Sequence, residues 1–102
     1  MAEEMTTPAL KEQALAKLLQ DTLALLDGVA ESFWSSRIRS ASAGTIDPVD
    51  VLSWFGGMGS FNDLVIAGVN GHQVREEDEA NVNRQLDDFR TSIYDLATQL
   101  KA

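Results

Sequence analysis

Ser60, Asp63 and His72 are a hydroxyl, a carboxylate and the only imidazole of this chain, and they lie close together in sequence. Held in line, such a trio makes the hydroxyl a nucleophile. Proximity in sequence is not proximity in space, and most chains of this size offer such a trio. Ser60 also lacks the glycines of a nucleophile elbow, since Asn62 stands at the second glycine position. His72 follows a turn signal and is expected to face solvent. No catalytic residue is assigned on these grounds.

Ser60 and Asp63 belong to the segment Trp54–Phe55–Gly56–Gly57–Met58–Gly59–Ser60–Phe61–Asn62–Asp63. Glycine-rich loops cradle phosphates with their backbone N–H groups. Gly57–Asn62 begins like a dinucleotide fingerprint, but Asn62 occupies the third glycine position and the segment follows a helical pattern rather than a strand. No Gly-Lys-Ser/Thr follows, so it is not a P-loop. The candidate ligand-binding residues are therefore Gly57, Gly59, Ser60, Asn62, Asp63 and His72. The competing, structural reading is a tight turn. Phe55 and Phe61 would enter the core on either side of it, with Trp54 at its edge. Glycines would take left-handed dihedrals, and Asn62 or Asp63 would bond within the loop.

No metal site and no cofactor are expected. There is no cysteine and one histidine, and the acidic run from Asp78 to Asp88 lacks the EF-hand spacing of carboxylates and glycine. Asp87–Asp88 is a carboxylate pair on a charged helix face, with no sign of the burial that raises a pKa for acid–base work.

With 102 residues, 44% hydrophobic and 24% charged, the chain is expected to form a single globular domain spanning 1–102, with residues 1–6 disordered. Its net charge of −8 opposes binding to nucleic acid and to anionic membrane surfaces, and leaves a basic protein as the partner that charge favours. The acidic, polar N-terminus does not read as a signal peptide, and no apolar run is long enough to span a bilayer. A soluble, cytoplasmic protein is the expectation.

The elements that must position these residues are mostly helical. Thr7–Pro8 opens the first helix, with Leu15, Leu18, Leu19, Thr22, Leu25, Leu26, Val29 and Phe33 as its apolar stripe and Asp27–Gly28 as a stop or bend. A shorter helix follows over Glu31–Ser40, with Trp34 and Ile38 turned to another side. Asp47–Pro48 caps and starts a third, which Gly56–Gly57 ends. Trp34 and Trp54 are expected in the core. Over 60–70 two readings compete. Ser60-x-x-Asp63 resembles a capping box opening a helix. The β-branched Val65, Ile66 and Val69 before Asn70–Gly71 instead favour a short β-hairpin. Arg75–Glu79 begins a last helix whose stripe is Val82, Leu86, Phe89, Ile93, Leu96, Ala97 and Leu100, with Arg84, Asp87, Asp88, Arg90 and Asp95 mainly outside it. The fold class is thus mostly α (α+β), about four packed helices with a hairpin beside the Gly-rich turn.

The run Gly56–Gly57–Met58–Gly59–Ser60, with Asn62–Asp63–Leu64 and then Asn70–Gly71–His72, resembles a small bacterial family classed as a domain of unknown function, with a central GGMGS-x-ND-L motif. The resemblance implies a bacterial cytoplasmic protein and brings no activity or site residue. Two functions remain in view. One is a non-enzymatic binding or regulatory protein, in one version an immunity-like protein occupying a basic cleft. The other is a small-ligand binder or hydrolase using the Gly57–Asp63 loop.

Overall fold

The computed structural model describes residues 8–56 and 59–101. The disorder expected of residues 1–6 and the cap expected of Thr7 lie outside them. The helices are α1 (Pro8–Gly28), α2 (Ser32–Ser42), α3 (Pro48–Leu52) and α4 (Glu79–Lys101). Single 3-10 turns stand at Phe61–Asp63, Gly68–Asn70 and Glu76–Asp78. α1 packs against α2 and α4, and α3 packs against α4.

Sequence chemistry accounts for most boundaries. Asp47 accepts a hydrogen bond from the Val49 N–H at 3.0 Å, and Pro48 takes the first helical position, as its fixed φ and missing N–H suit. α1 stops where Asp27–Gly28 marked a stop or bend, but the glycine is not the left-handed residue of that stop. Gly28 is the last helical residue, and Ala30, at φ +61°, takes the left-handed position. The Glu31 N–H donates to the Leu26 carbonyl at 2.9 Å and the Ala30 N–H to that of Asp27 at 3.2 Å, the two bonds of a Schellman stop. Val29 is buried just past the helix end and Glu31 caps α2 next, so the chain reverses at Ala30, two residues after the glycine.

The stripes of α1 and α4 meet in one core containing Leu15, Leu19, Leu26, Leu86, Ile93 and Ala97, joined by Val29, Ile38, Val51 and Ile66. Trp34, Trp54 and Phe61 form its aromatic centre, with ring centroids 4.8–6.3 Å apart. Both tryptophans are core residues, as expected. Phe33 is not: it is 63% exposed, because α2 starts a new helical phase after the stop and presents Trp34 inward instead.

The expected β-hairpin is absent, and there is no strand among the described residues. Leu64 and Ala67 are extended, but α4 side chains take the backbone groups a second strand would have paired. The Asn83 side-chain amide bonds both the N–H and the carbonyl of Ile66, each at 2.8 Å. Glu79 accepts from the Gly68 N–H at 3.1 Å. Arg90 donates to the Leu64 carbonyl at 2.9 Å. Asn70–Gly71 does turn the chain, but as the end of a 3-10 turn. Gly71 is at φ +89° and the His72 N–H returns to the Ala67 carbonyl.

Candidate functional site

The Gly-rich segment leaves α3 through a short turn after Leu52 and re-enters the core at Phe61. The Phe61 N–H donates to the Trp54 carbonyl at 2.8 Å, closing the loop at its base. Gly56 and Gly59 hold φ of +102° and +78°, which side-chain-bearing residues adopt at a cost. Asp63 accepts a hydrogen bond from the Gly59 N–H at 2.8 Å. Trp54 and Phe61 are fully buried, while Phe55 is half-buried against Phe61 and Tyr94. These are the features of the structural turn that the sequence suggested. Gly57 lies outside the described residues.

Arg90 holds the loop from the other side. It sits on α4 and is 9% exposed, although the periodicity placed it outside the buried stripe. Its guanidinium donates to the Phe61 carbonyl at 2.7 Å, to that of Leu64 at 2.9 Å and to that of Asn62 at 3.3 Å. It also pairs with Asp87 one turn back and lies 5.9 Å from the Phe61 ring centroid. A fixed cation suits the carbonyl end of the 61–63 turn. The signal in the sequence was slight: Arg90 lies four residues after Leu86, three before Ile93 and seven before Ala97, in register with the buried face.

His72 is also displaced from expectation. Its side chain is 6% exposed, and Nε2 lies 2.8 Å from Glu31 Oε1. The Ala67 N–H donates to Nδ1 at 3.1 Å, which in the neutral ring assigns the proton to Nε2. The other Glu31 oxygen accepts from the Trp34 N–H at 2.9 Å, so one carboxylate caps α2 and anchors His72 together. The Gln73 N–H donates to the Val29 carbonyl at 2.9 Å beside it. His72 is buried because the turn at Asn70–Gly71 folds back onto the α1–α2 junction rather than out into a hairpin.

The triad that could be written on paper is not assembled. Ser60 Oγ is buried with no hydrogen-bond partner, Asp63 is bonded to Gly59, and His72 is bonded to Glu31 and Ala67. Gly59, Ser60, Asn62 and Asp63 do stand together at the turn, and two depressions flank it. On the α4 side, a groove of 690 Å³ is lined by Phe55, Gly56, Asn62, Asp87, Arg90, Thr91, Tyr94 and Asp95. On the α2 side, a cleft of 200 Å³ is lined by Phe33, Trp34, Arg37, Ser53, Trp54, Gly56, Gly59 and Ser60. Neither Asp95 nor Tyr94 was singled out from the sequence as a site residue, because each reads as an ordinary exposed helix position until α3 and the turn are packed beside it.

Among the described residues no helix is long and apolar enough to cross a membrane. No curated protein and no solved structure matches the chain. A family model described as a domain of unknown function (DUF6966) matches residues 27–75, which run from the end of α1 to the approach of α4 and hold the Gly-rich turn and the Glu31–His72 pair. The match agrees with a resemblance to an uncharacterised family over that segment and does not reach the α4 pattern at Val82–Leu100.

Proposed function

We propose that this protein is a non-enzymatic binding protein that takes a basic segment of a partner protein into the groove between α4 and the Gly-rich turn. The observation that carries the proposal is the chemistry of that groove. The Arg90 guanidinium is spent on the loop carbonyls and Asp87. What the groove offers a guest is the exposed Asp95, the outer edge of Asp87, and the rings of Tyr94 and Phe55, whose centroids are 5.3 Å apart. Tyr94 is 47% exposed. Carboxylates beside aromatic faces suit an arginine or lysine side chain, which gains a charged hydrogen bond and a cation–π contact together. The net charge of −8 would steer such a partner toward the surface. An immunity-like role, a bacterial source and a cytoplasmic site of action belong to the same reading.

A fluorescently labelled arginine-rich peptide tests it. Binding should weaken steeply with salt, and Asp95→Asn combined with Tyr94→Ala should lower affinity by roughly thirtyfold, about the sum of one charged and one cation–π contact. Glu12→Gln, on the exposed surface of α1, removes one charge as a control and should change little. Equal loss in the control and the groove variant would reduce the effect to bulk charge and end the proposal.

A further inference from the structure

On the opposite side of the turn lies a pocket of the opposite character. The 200 Å³ cleft between α2 and the turn contains no carboxylate among its described lining residues, in a chain with 16 acidic residues. The one charged residue among them is Arg37. That guanidinium lies 5.5 Å from the Trp34 ring centroid and has no carboxylate partner among the described residues. Two further lining residues, Trp54 and Ser60, carry buried polar atoms without a hydrogen-bond partner: the indole Nε1 and the hydroxyl Oγ. Trp54 is 1% exposed. Buried donors are nearly always paired in folded proteins, and leaving one unpaired costs about 1–3 kcal/mol. Two such groups in residues of one cleft, beside an arginine with no carboxylate partner among the described residues, leave three hydrogen-bond donors there unused.

We propose that this cleft binds the carboxylate of a small organic acid, with Arg37 supplying the charge and the Trp54 indole N–H and Ser60 hydroxyl supplying neutral donors. The planar guanidinium fork matches a carboxylate. Phe33 and Trp34, whose rings are in edge-to-face contact at 5.3 Å, give the body of the acid an aromatic wall. The cleft is small for a whole ligand and suits an acidic head. Phe33 and Arg37 also line a shallower depression along α2 that reaches Ser36 and Ser40, where the remainder would lie. A monoanion is favoured over a dianion such as phosphate. The field of a chain at net −8 opposes each added negative charge, and the cleft sets a single positive charge against it. The two neutral donors are shielded as the cleft stands. Reaching them requires the lining to shift, and Phe33, 63% exposed, and Arg37 are the exposed side chains of the lining with the most freedom to move.

The test is a titration of ¹⁵N-labelled full-length protein with benzoate, and separately with inorganic phosphate. Benzoate should saturably move the Trp54 indole N–H resonance together with the Ser60 amide. Arg37→Gln should weaken that binding by about tenfold, the worth of a charged hydrogen bond. It should lower the melting temperature only slightly, since no ion pair among the described residues is lost and only the contact with the Trp34 ring goes. Ser60→Ala should weaken binding less and fold as well or better, because it deletes an unpaired buried hydroxyl. Neither variant touches the α4 groove, so both should still bind the arginine-rich peptide. No saturable movement of the indole resonance, equal benzoate affinity in Arg37→Gln, or tighter binding of phosphate than of benzoate would each overturn the proposal.

Discussion

Arg90 shows how one side chain can be worth more than its place in a pattern suggests. Its aliphatic stem lets it occupy a core-facing helix position, and its guanidinium satisfies carbonyls that turn away from any regular ladder. The Phe61 carbonyl it serves belongs to a residue with no exposure at all. Arg90→Leu would keep the packing volume, take the guanidinium from the Leu64 and Asn62 carbonyls and leave the Phe61 carbonyl with only the 3.4 Å bond from the Leu64 N–H, so it should destabilise by about 3 kcal/mol in urea unfolding. Arg90→Lys should recover only part of this loss, because one ammonium cannot spread its donors as the planar fork does. A leucine variant as stable as the parent would mean that the carbonyls find other partners when the guanidinium is removed.

Among the elements, the junction of α1 and α2 holds an improvable position. Ala30 sits at φ +61°, where a Cβ costs roughly 1 kcal/mol and glycine is at ease. Ala30→Gly should therefore stabilise by up to about 1 kcal/mol, the relief of strain exceeding the added freedom of the unfolded chain. A lower thermal midpoint would show that the methyl group contributes packing that the backbone geometry does not reveal. The extended segment Leu64–Ala67 makes the complementary point. It is built like a strand, yet it is paired by side chains of a helix, above all by both ends of the Asn83 amide. Hydrogen-bond demand selects a partner, and any group with a donor and an acceptor at the right spacing can meet it.

At the scale of the molecule, the Glu31–His72 pair ties the helical hairpin α1–α2 to the irregular segment that leads into α4. Both side chains are largely buried, at 13% and 6% exposure, so the contact is not a surface ion pair of small worth. A double-mutant cycle of Glu31→Ala and His72→Ala should give a coupling energy of about 1 kcal/mol or more, within the range for directly bonded residues. Simple additivity of the two losses would assign the whole cost of Glu31→Ala to the lost cap on α2. Beside the turn lie the groove that holds Asp87, Asp95 and Tyr94 and the cleft that holds Arg37, with Gly56 lining both.

What could be read in the sequence was whatever local chemistry dictates. Apolar spacing of three and four marked α1 and α4, Asp47–Pro48 marked the start of α3, and glycines between aromatic residues marked the central turn. These features are legible because a helix phase, a cap and a left-handed dihedral are properties of neighbours in the chain. The burial of Arg90, the pairing of His72 with Glu31 and the replacement of a hairpin by helix side chains were decided only by tertiary structure. Each joins groups far apart in sequence. A charge or an imidazole looks solvent-seeking until the fold brings it a partner, and β-branched residues before Asn-Gly look like a strand until something other than a strand meets their hydrogen bonds. The two flanking pockets share that origin, since α2, α3, α4 and the turn must be packed together before either exists.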